Sequence, residues 1–192
     1  EYRARYELWS DSATKRRWVS LPPGAQIDVS GSDRAAPMDF WRYPAGTKLW
    51  KEFSRDGVRV ETRLIQKYLD ERLRERWFMT AFVWNDALTD ADATTDGVPN
   101  ARGTEHDVPS RTMCADCHDN VYDRVLGFSA IQLAHDLPGV KLADLVAENR
   151  LTAAPPGDLA LPGTPAQQNV LGYLHANCGH CHNESGQHAA LG

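Results

Sequence analysis

Four cysteines and the histidines beside them carry most of the chemistry legible in this chain. They form two copies of one pattern, Cys114-Ala115-Asp116-Cys117-His118 and Cys178-Gly179-His180-Cys181-His182, and no cysteine lies outside them. Two thiols three positions apart can each add across one of the two vinyl groups on a porphyrin edge and form thioethers. The histidine that follows then lies beneath the ring, where an imidazole nitrogen takes the iron's proximal axial position. The pattern predicts two covalently attached haem c groups, held by Cys114, Cys117, Cys178 and Cys181, with His118 and His182 as iron ligands. Zinc held by paired thiolates is the alternative. Against it, 60 residues (118 to 177) separate the pairs, where a zinc ribbon has about 15–20. Zinc also has no use for a histidine after each pair. A dithiol redox site needs one pair only, and a C-x-x-C disulfide closes too tight a loop to stabilise much.

The iron's distal position decides its potential and reactivity: methionine raises the potential, a second histidine lowers it, and an open position admits substrate. The remaining candidates are His106, His135, His175, His180, His188, Met38, Met79 and Met113. His180 and Met113 lie too near their own motifs to reach the far side of the ring. His135 follows His118 by 17 residues on a short helical pattern, Ser129 to Asp136, and is the expected distal ligand of the first iron. His106, in Glu105-His106-Asp107, is its competitor, and an ordinary surface histidine is the alternative for both. The second iron has only ten residues of chain after His182. Its ligand is expected from His188, His175, a residue elsewhere, a neighbouring subunit, or chain beyond Gly192.

Two kinds of element must position these motifs. The first hundred residues or so read as strands and turns. Lys48 to Ser54 and Val58 to Leu64 alternate apolar and polar residues around an Arg55-Asp56-Gly57 turn, which predicts a hairpin. Arg76 to Trp84 is dense in aromatic and branched residues, and Arg17 to Leu21 and Gln26 to Val29 read as further short strands. Tyr68 to Arg76 reads as either a hairpin excursion or a short helix. Turn chemistry at such short intervals predicts an all-β module of sandwich or barrel-like form. Thr89 to Glu105 is polar and reads as a linker or long loop, its aspartates lacking the spacing of a calcium loop. Beyond it the period becomes helical at Leu142, Leu145 and Val146 and again at Val170, Leu171 and Leu174. Thr164-Pro165 is a helix start, so a helix Pro165 to Asn177 should end at the second motif, with Val170 and Leu174 facing macrocycle or core. The expected class is α+β: a β-rich module over 1–105, then a mainly helical, cytochrome c-like dihaem region over 106–192.

Charge supports that division. Residues 1–105 hold 17 Lys and Arg against 17 Asp and Glu, whereas residues 106–192 hold 4 against 9, the whole of the net charge of −5. This argues against nucleic acid as a partner. With a mean hydropathy of −0.51, no apolar run approaches the roughly 18 residues of a membrane span. Glu1 follows no methionine, basic segment or apolar leader, which fits a removed signal peptide or a fragment.

The chain resembles a bacterial family of exported dihaem c-type cytochromes in which a β-rich module precedes the haem region. The resemblance lies in Leu8–Gly24, Asp39–Phe53, Val60–Leu64, His106–Ser110, Arg124–Leu133 and Tyr173–Asn183, so it covers nearly the whole chain. It implies a periplasmic or extracellular protein. Members often continue well past the second motif, and the stop at Gly192 departs from that pattern. The expected function is electron transfer between two nearby haems and a redox partner, a basic one suiting the acidic half. Assembly of several copies into a haem wire would supply a distal ligand across subunits. The alternative is a dihaem enzyme of the peroxidase type, with one open iron and His106 or Glu105 as acid or base.

Overall fold

The computed structural model describes residues 1–29, 41–155 and 159–183. The chain divides into two compact units made of interleaved segments. One comprises Glu1, Trp9–Pro22 and Ala45–Asp116; the other comprises Tyr2–Leu8, Pro23–Pro44 and Cys117–Gly192. The division falls inside one helix, between Asp116 and Cys117.

The first unit is a single antiparallel sheet of β1 (Thr14–Ser20), β2 (Lys48–Arg55), β3 (Val58–Leu69), β4 (Glu75–Trp84) and β5 (Ala91–Thr94), in that spatial order. The β2–β3 hairpin turns where expected, with Asp56 at φ 50° and Gly57 at φ 80°, the positive values that match a two-residue turn to strand twist. Tyr68 to Arg76 resolves as a hairpin. The Asp70 carboxylate accepts hydrogen bonds from the Arg72 and Arg74 backbone and from the Arg74 and Arg76 guanidinium groups. Those contacts hold its carboxyl down to about 2, the Arg74 backbone N–H being the largest cause.

Register explains what this sheet buries. Phe53 pairs with Glu61 and Glu61 with Val83, so the three share a face. Between Phe53 and Ser54 the register shifts, leaving Val60 unpaired. Such a bulge breaks the period of two, and Val60 and Glu61 are consecutive residues that are both buried. Val60, Ala81, Ala101 and Val108 form a core with Val58, Val83 and Val98 packed around it. The segment 97–108 is therefore part of the β unit, closed by a Val98–Val108 bridge. Gly97 makes that closure: its φ is +80°, and a Cβ there would stand 2.8 Å from the Val108 carbonyl oxygen.

The second unit is built largely from irregular chain. Its aromatic core sets Tyr2 edge-on to Phe128 at 4.7 Å and Trp41 edge-on to Phe128 at 6.1 Å, while the Tyr43 hydroxyl donates to the Phe128 carbonyl. Ile27, Ile131, Leu133, Leu142, Leu145 and Leu151 are also buried. The helices are α1 (Arg111–His118), α2 (Ala130–Leu133), α3 (Leu142–Ala147) and α4 (Pro165–Asn177), α1 entering from the first unit.

Several expectations are corrected here. Residues 106–192 are not a mainly helical cytochrome region: among the described residues their α-helices have 8, 4, 6 and 13 residues. Pro109, Pro138, Pro155, Pro162 and Pro165, with positive φ at Asp123, Arg124, Gly127, Gly139, Asn149 and Gly163, cut the chain before longer helices can form. The β module is one open sheet among the described residues, not a sandwich or barrel. Thr89 to Glu105 is not a linker, because it contains β5 and the buried Ala101. Gln26 to Val29 makes isolated bridges, Ile27 with Leu151 and Asp28 with Arg42, and belongs to the second unit. Among the described residues no helix is long and apolar enough to cross a membrane.

Candidate functional site

The first motif lies on α1. Ser110 starts this helix: its hydroxyl accepts from the Met113 N–H at 3.3 Å and its carbonyl from the Cys114 N–H at 3.1 Å. Cys114 and Cys117 are three positions apart on it, neighbours on a helical surface, and both are half-buried and outside any disulfide. Burial pushes the Cys114 thiol above its ordinary value, Arg63 and Arg111 acting against that and Glu61 with it.

His118, the last residue of α1, is oriented from its side. Its Nδ1 lies 2.6 Å from the Arg124 carbonyl oxygen. A carbonyl only accepts, so Nδ1 carries the hydrogen and Nε2 the lone pair, the arrangement that aims an imidazole at a metal. The turn that presents this carbonyl has Asp123 at φ 48° and Arg124 at φ 60°. It is anchored by the Tyr43 N–H, which donates to the Asp123 carboxylate at 2.6 Å.

The second motif follows α4, whose bounds agree with the expected Pro165 to Asn177. Thr164 and Gln167 form a reciprocal capping box, and Pro165 occupies the first turn. Val170, Leu174 and Cys178 follow one another at helical spacing along one face, with Val170 61% and Leu174 46% exposed. Gly172, on the opposite side, is buried against the Tyr6 ring. The motif itself is one tight turn, with the Cys181 and His182 N–H groups donating to the Cys178 carbonyl at 3.0 and 2.9 Å. Within it His180 is buried and its Nδ1 has no hydrogen-bond partner. Burial lowers its pKa; a hydrogen bond with the Ala176 backbone opposes this and His182 adds to it.

The two distal candidates are in different surroundings. His135 uses both ring nitrogens: Nε2 lies 2.7 Å from the Arg3 carbonyl oxygen, and Nδ1 accepts from the Leu137 N–H at 3.0 Å. In that arrangement no lone pair remains for iron. His106 is buried in the first unit, its Nε2 2.7 Å from Glu61 Oε1 and its ring 5.2 Å from that of Phe53. Its Nδ1 is buried without a partner. Arg63 grips the same carboxylate, Nε at 3.0 Å from both oxygens and Nη2 at 2.5 Å from Oε1. Burial pushes the Glu61 carboxyl up, but the hydrogen bonds from His106 and Arg63 outweigh it and hold it below its ordinary value. Met79 is buried in the sheet and Met113 is exposed. His175 is half-buried on α4. Met38 and His188 lie outside the described residues.

Sequence reasoning missed Glu61, Arg63, Asp123, Asn120 and Asn183. Only Asn183 had a signal, its place directly after His182. Its amide donates to the Gly179 and His180 carbonyls at 2.9 and 3.0 Å and to the Asn120 carbonyl at 3.1 Å.

Haem fits the residues present. Each motif offers two thiols outside any disulfide and a histidine, His118 has its Nε2 lone pair set by the Arg124 carbonyl, and α4 leads an apolar face to Cys178. Among the described residues no three His, Cys, Asp or Glu side chains gather as an ion site. Compared with known proteins, the chain matches no family model, no curated protein sequence and no solved structure.

Proposed function

We propose that this protein is an exported dihaem c-type cytochrome that transfers electrons outside the cytoplasm, in line with the family it resembles. The observation that carries the reading is the repeated C-x-x-C-H, which uses every cysteine of the chain, all four half-buried and outside any disulfide. Cys114, Cys117, Cys178 and Cys181 anchor the two groups, and His118 and His182 ligate the irons. When bound, haem supplies a one-electron iron couple whose potential follows its axial ligands and burial.

The chain's own residues do the rest. The Arg124 carbonyl holds the His118 tautomer and raises its basicity as a ligand. Val170 and Leu174 offer an exposed apolar surface on the helical face that leads to Cys178, against which a bound group would be shielded from water. The acidic balance of residues 106–192 favours a basic redox protein as partner.

A pyridine haemochrome spectrum with an intact mass on the native protein tests this. Two haems per chain and a mass above the polypeptide by two haems are expected. A colourless protein, or the mass of the bare chain, overturns the proposal. Two low-spin ferric haems support a carrier, whereas a high-spin band that shifts on adding peroxide moves the reading to a dihaem peroxidase. Sizing of the haem-loaded protein tests a wire, which a strict monomer with both irons six-coordinate would exclude.

A further inference from the structure

Asn183 joins the two motifs. Its amide nitrogen is bonded to the Gly179 and His180 carbonyls of its own motif and also to the carbonyl of Asn120, two residues past His118. Asn120 is buried, so water cannot readily replace that contact. All of these groups belong to the second unit. The covalent path from His118 to Asn120, the 3.1 Å hydrogen bond and one further residue bound the separation of the His118 and His182 Cα atoms. At standard backbone dimensions that separation is at most about 20 Å.

We propose that Asn183 is a positioning residue that clasps the two haem-binding turns together, so that the two groups act as an electronically coupled pair rather than as independent carriers. This rests on the dihaem reading and deepens it. The side chain suits the task. A primary amide has two hydrogens to share among the three carbonyls, is uncharged, and so leaves no buried charge beside the irons. One hydrogen-bonding direction serves the Gly179–His180 turn and another reaches Asn120, so the end of the second motif is ordered by the first. Leucine would fill the space and bond neither partner. Aspartate would set a carboxylate against carbonyl oxygens.

The test uses the full chain matured with haem, comparing wild type with Asn183→Ala and Asn183→Gln. Haem content comes from the haemochrome spectrum, coupling from circular dichroism in the Soret region, where two neighbouring haems give a paired positive and negative band. The wild type should show the paired band. Asn183→Ala should keep two haems and lose at least half of its amplitude, and Asn183→Gln, whose longer amide still reaches a carbonyl, should recover part of it. The gap between the two midpoint potentials in a redox titration should narrow in Asn183→Ala and widen again in Asn183→Gln. A paired band of full amplitude in Asn183→Ala, or its absence in a wild type carrying two haems, overturns the clasp and leaves the dihaem reading standing. A wild type without covalent haem overturns that reading, and the clasp with it. Should Asn183→Ala fail to retain two haems, the Asn183→Gln spectrum decides: no coupling in that variant refutes the proposal.

Discussion

Replacing Glu61 by alanine should be among the most damaging single changes in the β unit. The carboxylate is fully buried, receives His106 Nε2 at 2.7 Å and is gripped by Arg63. Without it His106, itself 1% exposed and with Nδ1 already unpartnered, keeps no acceptor for its N–H. Removing one member of a buried ion pair costs about 3–5 kcal/mol. The Arg63 side chain is 31% exposed and can turn to water, which places the expectation near the lower end, about 3 kcal/mol. For a protein stable by about 5–15 kcal/mol that is a large share. Urea unfolding followed by tryptophan fluorescence would read it as a midpoint lowered by about 1–3 M. Combined with His106→Ala the losses should be less than additive, by about 0.5–3 kcal/mol. Acid gives an independent reading. Glu61 is held below its ordinary carboxyl value of 4.5, so its contribution is whole above that pH and is lost as pH falls through the lower folded value. Wild-type stability should therefore drop more steeply below pH 4.5 than that of Glu61→Gln. A Glu61→Ala variant within about 0.5 kcal/mol of wild type, or strict additivity with His106→Ala, would refute the reasoning.

Gly172→Ala should destabilise the second unit, since a Cβ there would lie 2.1 Å from the Tyr6 ring. Overpacking of about 1–3 kcal/mol exceeds the gain in helix propensity of at most about 1 kcal/mol, and a thermal midpoint equal to or above wild type would count against the packing. The Asp70 carboxyl should titrate near 2 by NMR, its contribution to the β3–β4 hairpin being whole above 3.8 and lost as pH falls toward 2; a midpoint at 3.8 would deny the hydrogen-bonded turn. Gly97→Ala should lower the urea midpoint of the β unit by forcing a side chain into φ +80° against the Val108 carbonyl, with a cost of about 1–3 kcal/mol, and an unchanged midpoint would show that the turn can open freely.

Local rules act over a few residues, and the elements they govern were legible. The Asp56-Gly57 hairpin, the alternation around it and the Thr164–Pro165 start of α4 all stand where the amino acids put them, because turn dihedrals and end caps depend on immediate neighbours. Both C-x-x-C-H patterns are equally local, and so is their chemistry. What fails is the inference from a few apolar periods to a mainly helical region. Leu142, Leu145 and Val146 do make a helix, but the prolines and positive-φ turns between such pieces keep them short.

The chemistry that sequence could not foretell depends on partners distant along the chain. Pairing with buried Phe53 puts Glu61, outwardly one more polar position in an alternating strand, on a covered face where its carboxylate holds His106. His135 is tied by the Arg3 carbonyl, 132 residues away, and Asn183 by that of Asn120, 63 residues away. The primary structure by itself determined the thiol spacing and the imidazole after each pair, since these are properties of a five-residue segment. Tertiary structure alone decided which histidine nitrogens keep a lone pair and which amide spans two motifs. Those outcomes depend on long-range hydrogen bonds, whose donors and acceptors every stretch of backbone supplies alike and only the fold brings within hydrogen-bonding distance.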